Sequence, residues 1–378
     1  MSRNGDETST WANAEEGEMN VAGTGADHYF PPPEAEGGWS YAESDEEIRE
    51  RAHLDPNVLA LAAKEQDWYY SGDSWCFSVV RNGVLATEFR STDTMSSSRF
   101  DVFSVTKSFT SLAFGILMGD PEYAGRLDLD SHAYQFIPEG HPLTDSRKAQ
   151  VTVGQLLSMT GGFSGHYHIS GGTQTRLGDG VFEHLLGRVP NRYGYDVGQL
   201  IAEPGSRWEY SDPGFSHLSL VFANVTGREL DTFMNERLFG PIGIPAVSWI
   251  RSGGGKWIGP HTIAHCGLLL SSRELARCGY LLLRRGLWAG RRIVSTDWIE
   301  RATRTSQPFN PNYGYGFWVN SSGRLWQNLP TDSFAMMGYR GNRCWVVPSL
   351  DLVVARTGSG PRMLDDTYFP SKVLDAVL

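Results

Sequence analysis

Apolar residues at positions 109, 112, 113, 116 and 117 recur at helical spacing, and Phe114 and Met118 widen the stripe until little of the segment is left for water. The pattern predicts a buried helix running from Ser104 to Met118 and stopped by Gly119-Asp120-Pro121. Trp75 to Val80 and Val84 to Phe89 are strand-like runs on either side of Asn82-Gly83, a dipeptide suited to a tight hairpin turn. A second hairpin is predicted from Cys344 to Val347 and Leu352 to Ala355 around Pro348-Ser349-Leu350-Asp351. Between the hairpins, helices are expected over 46–66, 153–159, 216–225, 230–238 and 272–284, with Thr152 as a cap and Gly161-Gly162 as a stop for the second of them. Strands near both ends and helices between them predict the α+β class: an antiparallel sheet built from N- and C-terminal strands, flanked by helices, with a large helical insertion.

Charge changes this picture only at one end. The 378 residues carry a formal charge of −10, but residues 1–50 hold 13 Asp or Glu against Arg3 and Arg49, which leaves the remainder at +1. The acidity belongs to these first 50 residues, of which 1–27 are expected to form an acidic, disordered tail, and residues 28–378 form one domain. Within it, 68–106 and 265–378 are the α/β part and 107–264 the mainly helical insertion. No basic patch argues for nucleic acid. The four cysteines, at 76, 266, 278 and 344, show no framework spacing, as expected of reduced thiols. The start Met1-Ser2-Arg3-Asn4-Gly5-Asp6-Glu7 lacks a secretory pattern and no apolar run is long enough to span a bilayer, so a soluble cytoplasmic protein without membrane contact is expected. Residues 163–195 show little periodicity; a stretch that long is a candidate cleft rim, with Tyr167 in it as a candidate substrate contact.

The chemistry starts at Ser104-Val105-Thr106-Lys107. Residues three apart on a helix share a face, so the Lys107 amine can reach the Ser104 hydroxyl as nucleophile and base. Only five lysines occur, at 64, 107, 148, 256 and 372, and no other has a serine three residues before it. A chain so biased towards arginine has kept a titratable amine at this position. Burial and the positive end of the helix are both expected to lower the pKa of that amine. In Glu203-Pro204-Gly205-Ser206-Arg207-Trp208-Glu209-Tyr210-Ser211-Asp212, Tyr210 could aim its phenol at Ser104 and relay protons, and Asp212 could accept from Lys107 or orient substrate. His261 and His265, four apart, would share a face if helical, but the general-base Glu of a His-Glu-x-x-His site is missing and no third ligand is evident, so no metal and no cofactor is expected.

Taken in order, Ser104-Val105-Thr106-Lys107, Gln155-Leu156-Leu157-Ser158-Met159-Thr160-Gly161-Gly162, Pro204-Gly205 with Tyr210-Ser211-Asp212, Gly240-Pro241-Ile242-Gly243 and the closing hairpin resemble the β-lactamase-related serine hydrolases. That family includes class C β-lactamases, DD-peptidases, esterases and the 6-aminohexanoate-dimer hydrolases. Tyr29-Phe30-Pro31-Pro32-Pro33 with Gly37-Gly38-Trp39 looks like the last of these branches. The resemblance implies a β-lactamase/transpeptidase-like fold, Ser104 as acylated nucleophile, Lys107 as its base and Tyr210 as proton relay. It also implies an oxyanion site between the backbone N–H of Ser104 and one near Gly338 or Tyr339, with His265 lining the substrate cleft. Two departures stand out. Asp212 replaces the Asn frequent in the family's Tyr-x-Asn, which removes two donors. Met336-Met337-Gly338 replaces Lys-Thr-Gly, and Arg340, read as sharing a strand face with Gly338, is expected to restore the lost charge for substrate binding.

The expected function is hydrolysis of a small linear amide or ester through a Ser104 acyl-enzyme. The alternatives are acyl transfer from the same intermediate, a cytosolic enzyme like a β-lactamase or D-peptidase, and a silent binding protein of the same fold. A small-molecule substrate is the expected partner, and a homodimer is an assembly to test.

Overall fold

The computed structural model describes residues 28–69, 72–165, 180–188, 198–252, 254–360 and 368–378. Its centre is a six-stranded antiparallel sheet. In chain order the strands are β1 (Trp75–Arg81), β2 (Val84–Arg90), β3 (Trp318–Val319), β4 (Phe334–Met337), β5 (Arg343–Val347) and β6 (Leu352–Gly358), and across the sheet they run β2-β1-β6-β5-β4-β3. The two predicted hairpins are both present, and β1 joins them by pairing with β6, Val79 opposite Val354. The sheet is therefore stitched from the two ends of the chain, as expected. Asn82 (φ 52°) and Gly83 (φ 77°) both sit in the left-handed region that a two-residue hairpin turn demands.

The sheet is covered on both faces, and strand alternation assigns the residues. Phe77, Val79, Trp345, Val347 and Val354 pack with Leu59 and Ala63 of helix α1 (Pro56–Tyr69) and with Val373 near the C-terminus. Val80, Cys344, Val346, Val353 and Ala355 face the larger core, which holds helices α2 (Val105–Gly119), α3 (Asp212–Thr226) and α4 (Ser272–Leu283). Helix α2 is buried along every face from Val105 to Leu117, which is why its sequence is apolar nearly all round. Helix α3 starts earlier than its apolar pattern, at Asp212: the Ser211 side chain caps it by accepting from Gly214 N–H at 2.9 Å, and Pro213 occupies its first turn. The Thr152 cap is present and closes a capping box with Gln155.

The extended Tyr29–Pro33 segment lies on the body. Buried Arg277 of α4 donates to the carbonyls of Pro31 (3.0 Å), Pro32 and Ile242, and Phe30 packs on Tyr280 and Trp288. All four cysteines are free thiols. No helix among the described residues is long and apolar enough to cross a membrane.

Inside the helical core, His217 of α3 is held in one tautomer. Its Nδ1 donates to Pro213 O at 2.8 Å, so Nε2 accepts from the Tyr134 hydroxyl, also at 2.8 Å. Burial, with Lys148 nearby, pushes its pKa down to about 3. The unfolded chain binds a proton at this imidazole near pH 6.5 and the folded protein does not, so stability is full above that pH and is lost as pH falls towards the folded value. The loss amounts to about 1 kcal/mol per pH unit. Urea denaturation between pH 7 and 4.5 measures it, and His217→Gln is expected to flatten the slope; an unchanged slope would show that His217 is not its source.

Candidate active site

The approach to Ser104 is fixed before the helix begins. Phe100–Asp101 pairs with Leu269–Leu270, and Asp101 Oδ1 accepts from the N–H groups of Phe103 (2.8 Å) and Gly267 (3.2 Å). These bonds hold Phe103 at φ 49°, a left-handed conformation that costs a bulky residue on the order of 1 kcal/mol. The chain turns sharply there and delivers Ser104 to the N-cap position of α2.

Ser104, Lys107, Tyr210 and Asp212 converge. Lys107 Nζ lies 2.9 Å from Ser104 Oγ, 3.1 Å from His265 O and 2.6 Å from Asp212 Oδ1, with the Tyr210 ring centroid 4.9 Å away. The Tyr210 hydroxyl is close enough to Ser104 and Lys107 for both to act on its pKa. Lys107 is only 1 % exposed. Burial pushes its pKa down, as the sequence led us to expect, but the Asp212 carboxylate and the Tyr210 oxygen outweigh burial and leave the pKa raised. This corrects the expectation of a lowered value: the resting side chain is an ammonium in an ion pair. Burial raises the Tyr210 pKa against the opposing pull of Lys107, so the resting side chain is a phenol.

His265 lies beneath this group and is 2 % exposed, which places it behind Lys107 and not on the open rim of a cleft. Its carbonyl accepts a hydrogen bond from Lys107 Nζ, while its Nδ1 is 2.6 Å from Ser216 Oγ, which in turn donates to Asp212 O at 2.9 Å. Because the serine hydrogen is committed to that carbonyl, Nδ1 is the donor to Ser216. Burial lowers the imidazole pKa to about 4, so it is neutral at pH 7. The segment 261–265 is not helical, and the two histidines have different partners: His261 Nδ1 is 2.9 Å from Glu229 Oε1.

Gly338 follows β4 and lies against the start of α2. A Cβ there would sit 2.1 Å from Val102 O, 3.0 Å from Val105 N and 3.2 Å from Ser104 N. Gly338→Ala is therefore expected to lower stability by about 1–3 kcal/mol and to cost more activity than stability. Thermal melts set beside ester-hydrolysis rates would show it, and an active, stable variant would contradict this packing. Arg340 departs from the sequence reading. The strand ends at Met337 and Arg340 occupies a left-handed turn position (φ 60°), so strand alternation does not align it with Gly338. Its guanidinium instead lies 5.5 Å from the Phe103 ring centroid and 5.9 Å from that of Tyr339. Tyr339 itself is 48 % exposed. Tyr167 lies outside the described residues, as do 166–179 and 189–197 of the irregular stretch.

Sequence reasoning missed the supports. Ser216 stands four residues after Asp212 on one helix face, a spacing that could have flagged it. The wall behind Tyr210 is aromatic: Trp318 stacks on it at 6.3 Å and 17°, and Tyr313 meets Trp318 at 5.2 Å and Trp208 at 5.6 Å. The dense run Tyr313-Gly314-Tyr315-Gly316-Phe317-Trp318 was its visible trace.

A mixed fold with a central six-stranded antiparallel sheet, helices on both of its faces and Ser104-x-x-Lys107 opening the buried helix α2 is that of the β-lactamases and the penicillin-binding transpeptidases. The chain belongs to the beta-lactamase family, whose sequence profile matches residues 72–367. Among solved structures, it is similar to a putative 6-aminohexanoate-dimer hydrolase from Bacillus anthracis, with 20 % identity, TM-score 0.65, and 92 % of this chain and 87 % of that one covered. It is also similar to a penicillin-binding protein homologue from Caulobacter crescentus, with 19 % identity, TM-score 0.61, and 84 % and 95 % covered. Among curated sequences, it is 30 % identical to penicillin-binding protein 4 of Amycolatopsis lactamdurans over 122 residues, 32 % of this chain and 29 % of that one. An uncharacterized Alkalihalophilus pseudofirmus protein is 25 % identical over 174 residues, 40 % of this chain and 52 % of its own length. The matches thus span about half or less of these curated relatives.

Proposed function

We propose that the protein is a serine hydrolase that cleaves a small linear amide or ester through an acyl-enzyme on Ser104. The observation that carries this reading is the convergence of a hydroxyl, an amine and a phenol: Lys107 Nζ is 2.9 Å from Ser104 Oγ and 4.9 Å from the centroid of the Tyr210 ring. In the resting state Lys107 is charged and cannot be a base. Passing one of its protons to Asp212, 2.6 Å away, gives a neutral amine without changing the net charge of the site. That amine takes the Ser104 proton as Oγ attacks the carbonyl carbon. When the tetrahedral intermediate collapses, the Tyr210 hydroxyl gives its proton to the departing nitrogen or oxygen and is reprotonated from Lys107. Water then enters by the same route in reverse and releases the acid. The Ser104 N–H and that of Tyr339, beside Gly338, are the donors we assign to the oxyanion. The Gly338 N–H is spent on Asn342 O at 2.8 Å. Arg340, its guanidinium over Phe103 and Tyr339, is a candidate partner for an anionic substrate end.

The leaning towards linear amides and esters over β-lactams draws on Met336-Met337-Gly338, which lacks a lysine where lactam-recognising relatives carry one. A fluorophosphonate probe followed by peptide mapping tests the nucleophile, with the adduct expected on Ser104. Incubation with p-nitrophenyl esters, a 6-aminohexanoate dimer and nitrocefin then ranks the substrate classes. No adduct, under conditions where a related esterase labels, would favour a silent binding protein.

A further inference from the structure

Two arginines face each other inside the sheet. Arg343 of β5 and Arg356 of β6 are paired directly opposite in the register, so their side chains share a face, and they are only 3 % and 0 % exposed. Like charges at such positions destabilise a sheet. Both side chains donate to one object, the turn Gly338–Asn342. Arg343 Nη1 donates to Gly338 O and to Asn342 O, the latter at 2.9 Å. Arg356 Nη1 donates to Arg340 O (3.1 Å) and Gly341 O (3.0 Å), while its Nε is held by Gln66 Oε1 of α1 at 3.1 Å. Tyr339 O, the remaining carbonyl, accepts from buried Asn342 Nδ2 at 2.8 Å, and the Asn342 side chain is pinned to both backbone groups of Gly358, at 3.0 and 3.2 Å. Every carbonyl from 338 to 342 is thus taken by a donor of the protein.

A trans peptide puts its N–H on the side opposite its C=O. Fixing the Gly338 carbonyl towards Arg343 therefore points the Tyr339 N–H the other way, and Gly338 is packed against the backbone nitrogen of Ser104. We infer that Arg343, with Arg356 supporting the far end of the turn, is a positioning residue that aims the Tyr339 N–H at the oxyanion. The inference rests on the Ser104 acyl-enzyme reading. A hydrogen bond to an oxyanion contributes only if its donor is already oriented when the charge develops. The two buried guanidinium groups make this turn rigid where a loop of two left-handed residues, Arg340 and Gly341, would otherwise be free to flip its peptides.

The test compares a p-nitrophenyl ester with its thiono analogue, whose sulfur is a poor hydrogen-bond acceptor. In Arg343→Lys, which keeps the charge but loses the fork, kcat/KM for the oxygen ester is expected to fall by about 100-fold, the usual effect of one lost oxyanion donor. KM should change little, the thiono ester should fall far less, and the preference for oxygen over sulfur should shrink accordingly. A fall by one common factor for both esters, or no fall, overturns the inference. If Arg343→Lys does not fold, the same ratio in Arg356→Lys decides, with a smaller shift expected. Fluorophosphonate mapping on the wild type separates the two levels. A wild type unlabelled at Ser104 removes the underlying reading, whereas a labelled wild type with an unchanged ratio in the variant removes only the role of the arginines.

Discussion

Lys107→Arg is expected to abolish acylation of Ser104 while leaving the fold standing. A guanidinium cannot give up its proton in this pH range, so no shift of charge with Asp212 can produce a base. The loss of general-base catalysis is expected to lower kcat/KM by about 10⁴-fold, the upper end of what one such group supplies. Stability behaves differently. Asp212 is 8 % exposed and its carboxylate faces Lys107 at 2.6 Å, so any cation at 107 still balances it, and Arg adds only the strain of a larger group, about 1–3 kcal/mol. Lys107→Ala removes the partner and leaves a buried carboxylate, which costs about 3–5 kcal/mol. The pair of variants separates chemistry from folding. Stopped-flow bursts with a p-nitrophenyl ester, intact mass after fluorophosphonate and urea denaturation should show both variants silent and only Lys107→Ala strongly destabilised. A full burst from Lys107→Arg would remove Lys107 from the role of base.

The parts of this site that could be read in advance are those set by local spacing. Ser104 and Lys107 are one helical turn apart, so their contact follows from the geometry of α2 alone. The two hairpins announced themselves through turn residues between apolar runs, and their pairing into one sheet followed from the class of fold. What could not be read depends on contacts distant in sequence or on where a strand stops. The charge state of Lys107 is decided by Asp212, 105 positions away, and local reasoning about burial gave the opposite direction. Arg340 looked aligned with Gly338 only as long as the strand was carried past Met337; the left-handed pair Arg340 and Gly341 ends it. His265 was legible as a residue near the site but not in its manner of contact, since its carbonyl faces Lys107 and its ring faces Ser216. Backbone contacts of this sort leave no side-chain signature in a sequence.

Asp212→Asn should move the titration of Lys107, and with it both activity and stability, in directions fixed by the balance at this residue. In the wild type the carboxylate outweighs burial and holds the ammonium on. Replacing it with an amide of the same shape leaves burial as the dominant influence, so the folded pKa of Lys107 falls below the value of about 10.4 that it has in an unfolded chain. A folded pKa below the unfolded one means that the unfolded state binds more protons between the two, so stability rises with pH across that window. The variant is expected to be weaker than the wild type at pH 7 and to close much of the gap by pH 10, whereas the wild type, with its raised pKa, has no such gain over the same range. Catalysis follows the same proton. In the wild type the proton shift to Asp212 supplies the amine without net titration, so kcat/KM for a p-nitrophenyl ester should be nearly flat over this range, whereas in the variant the amine must lose its proton to solvent and kcat/KM should rise with pH towards the folded pKa of Lys107. Melting temperatures and kcat/KM measured from pH 6 to 10 on both proteins read the two effects independently. Superimposable profiles in both measurements would mean that Asp212 does not control the charge on Lys107, and the proton shift between them would then have no place in the acylation step.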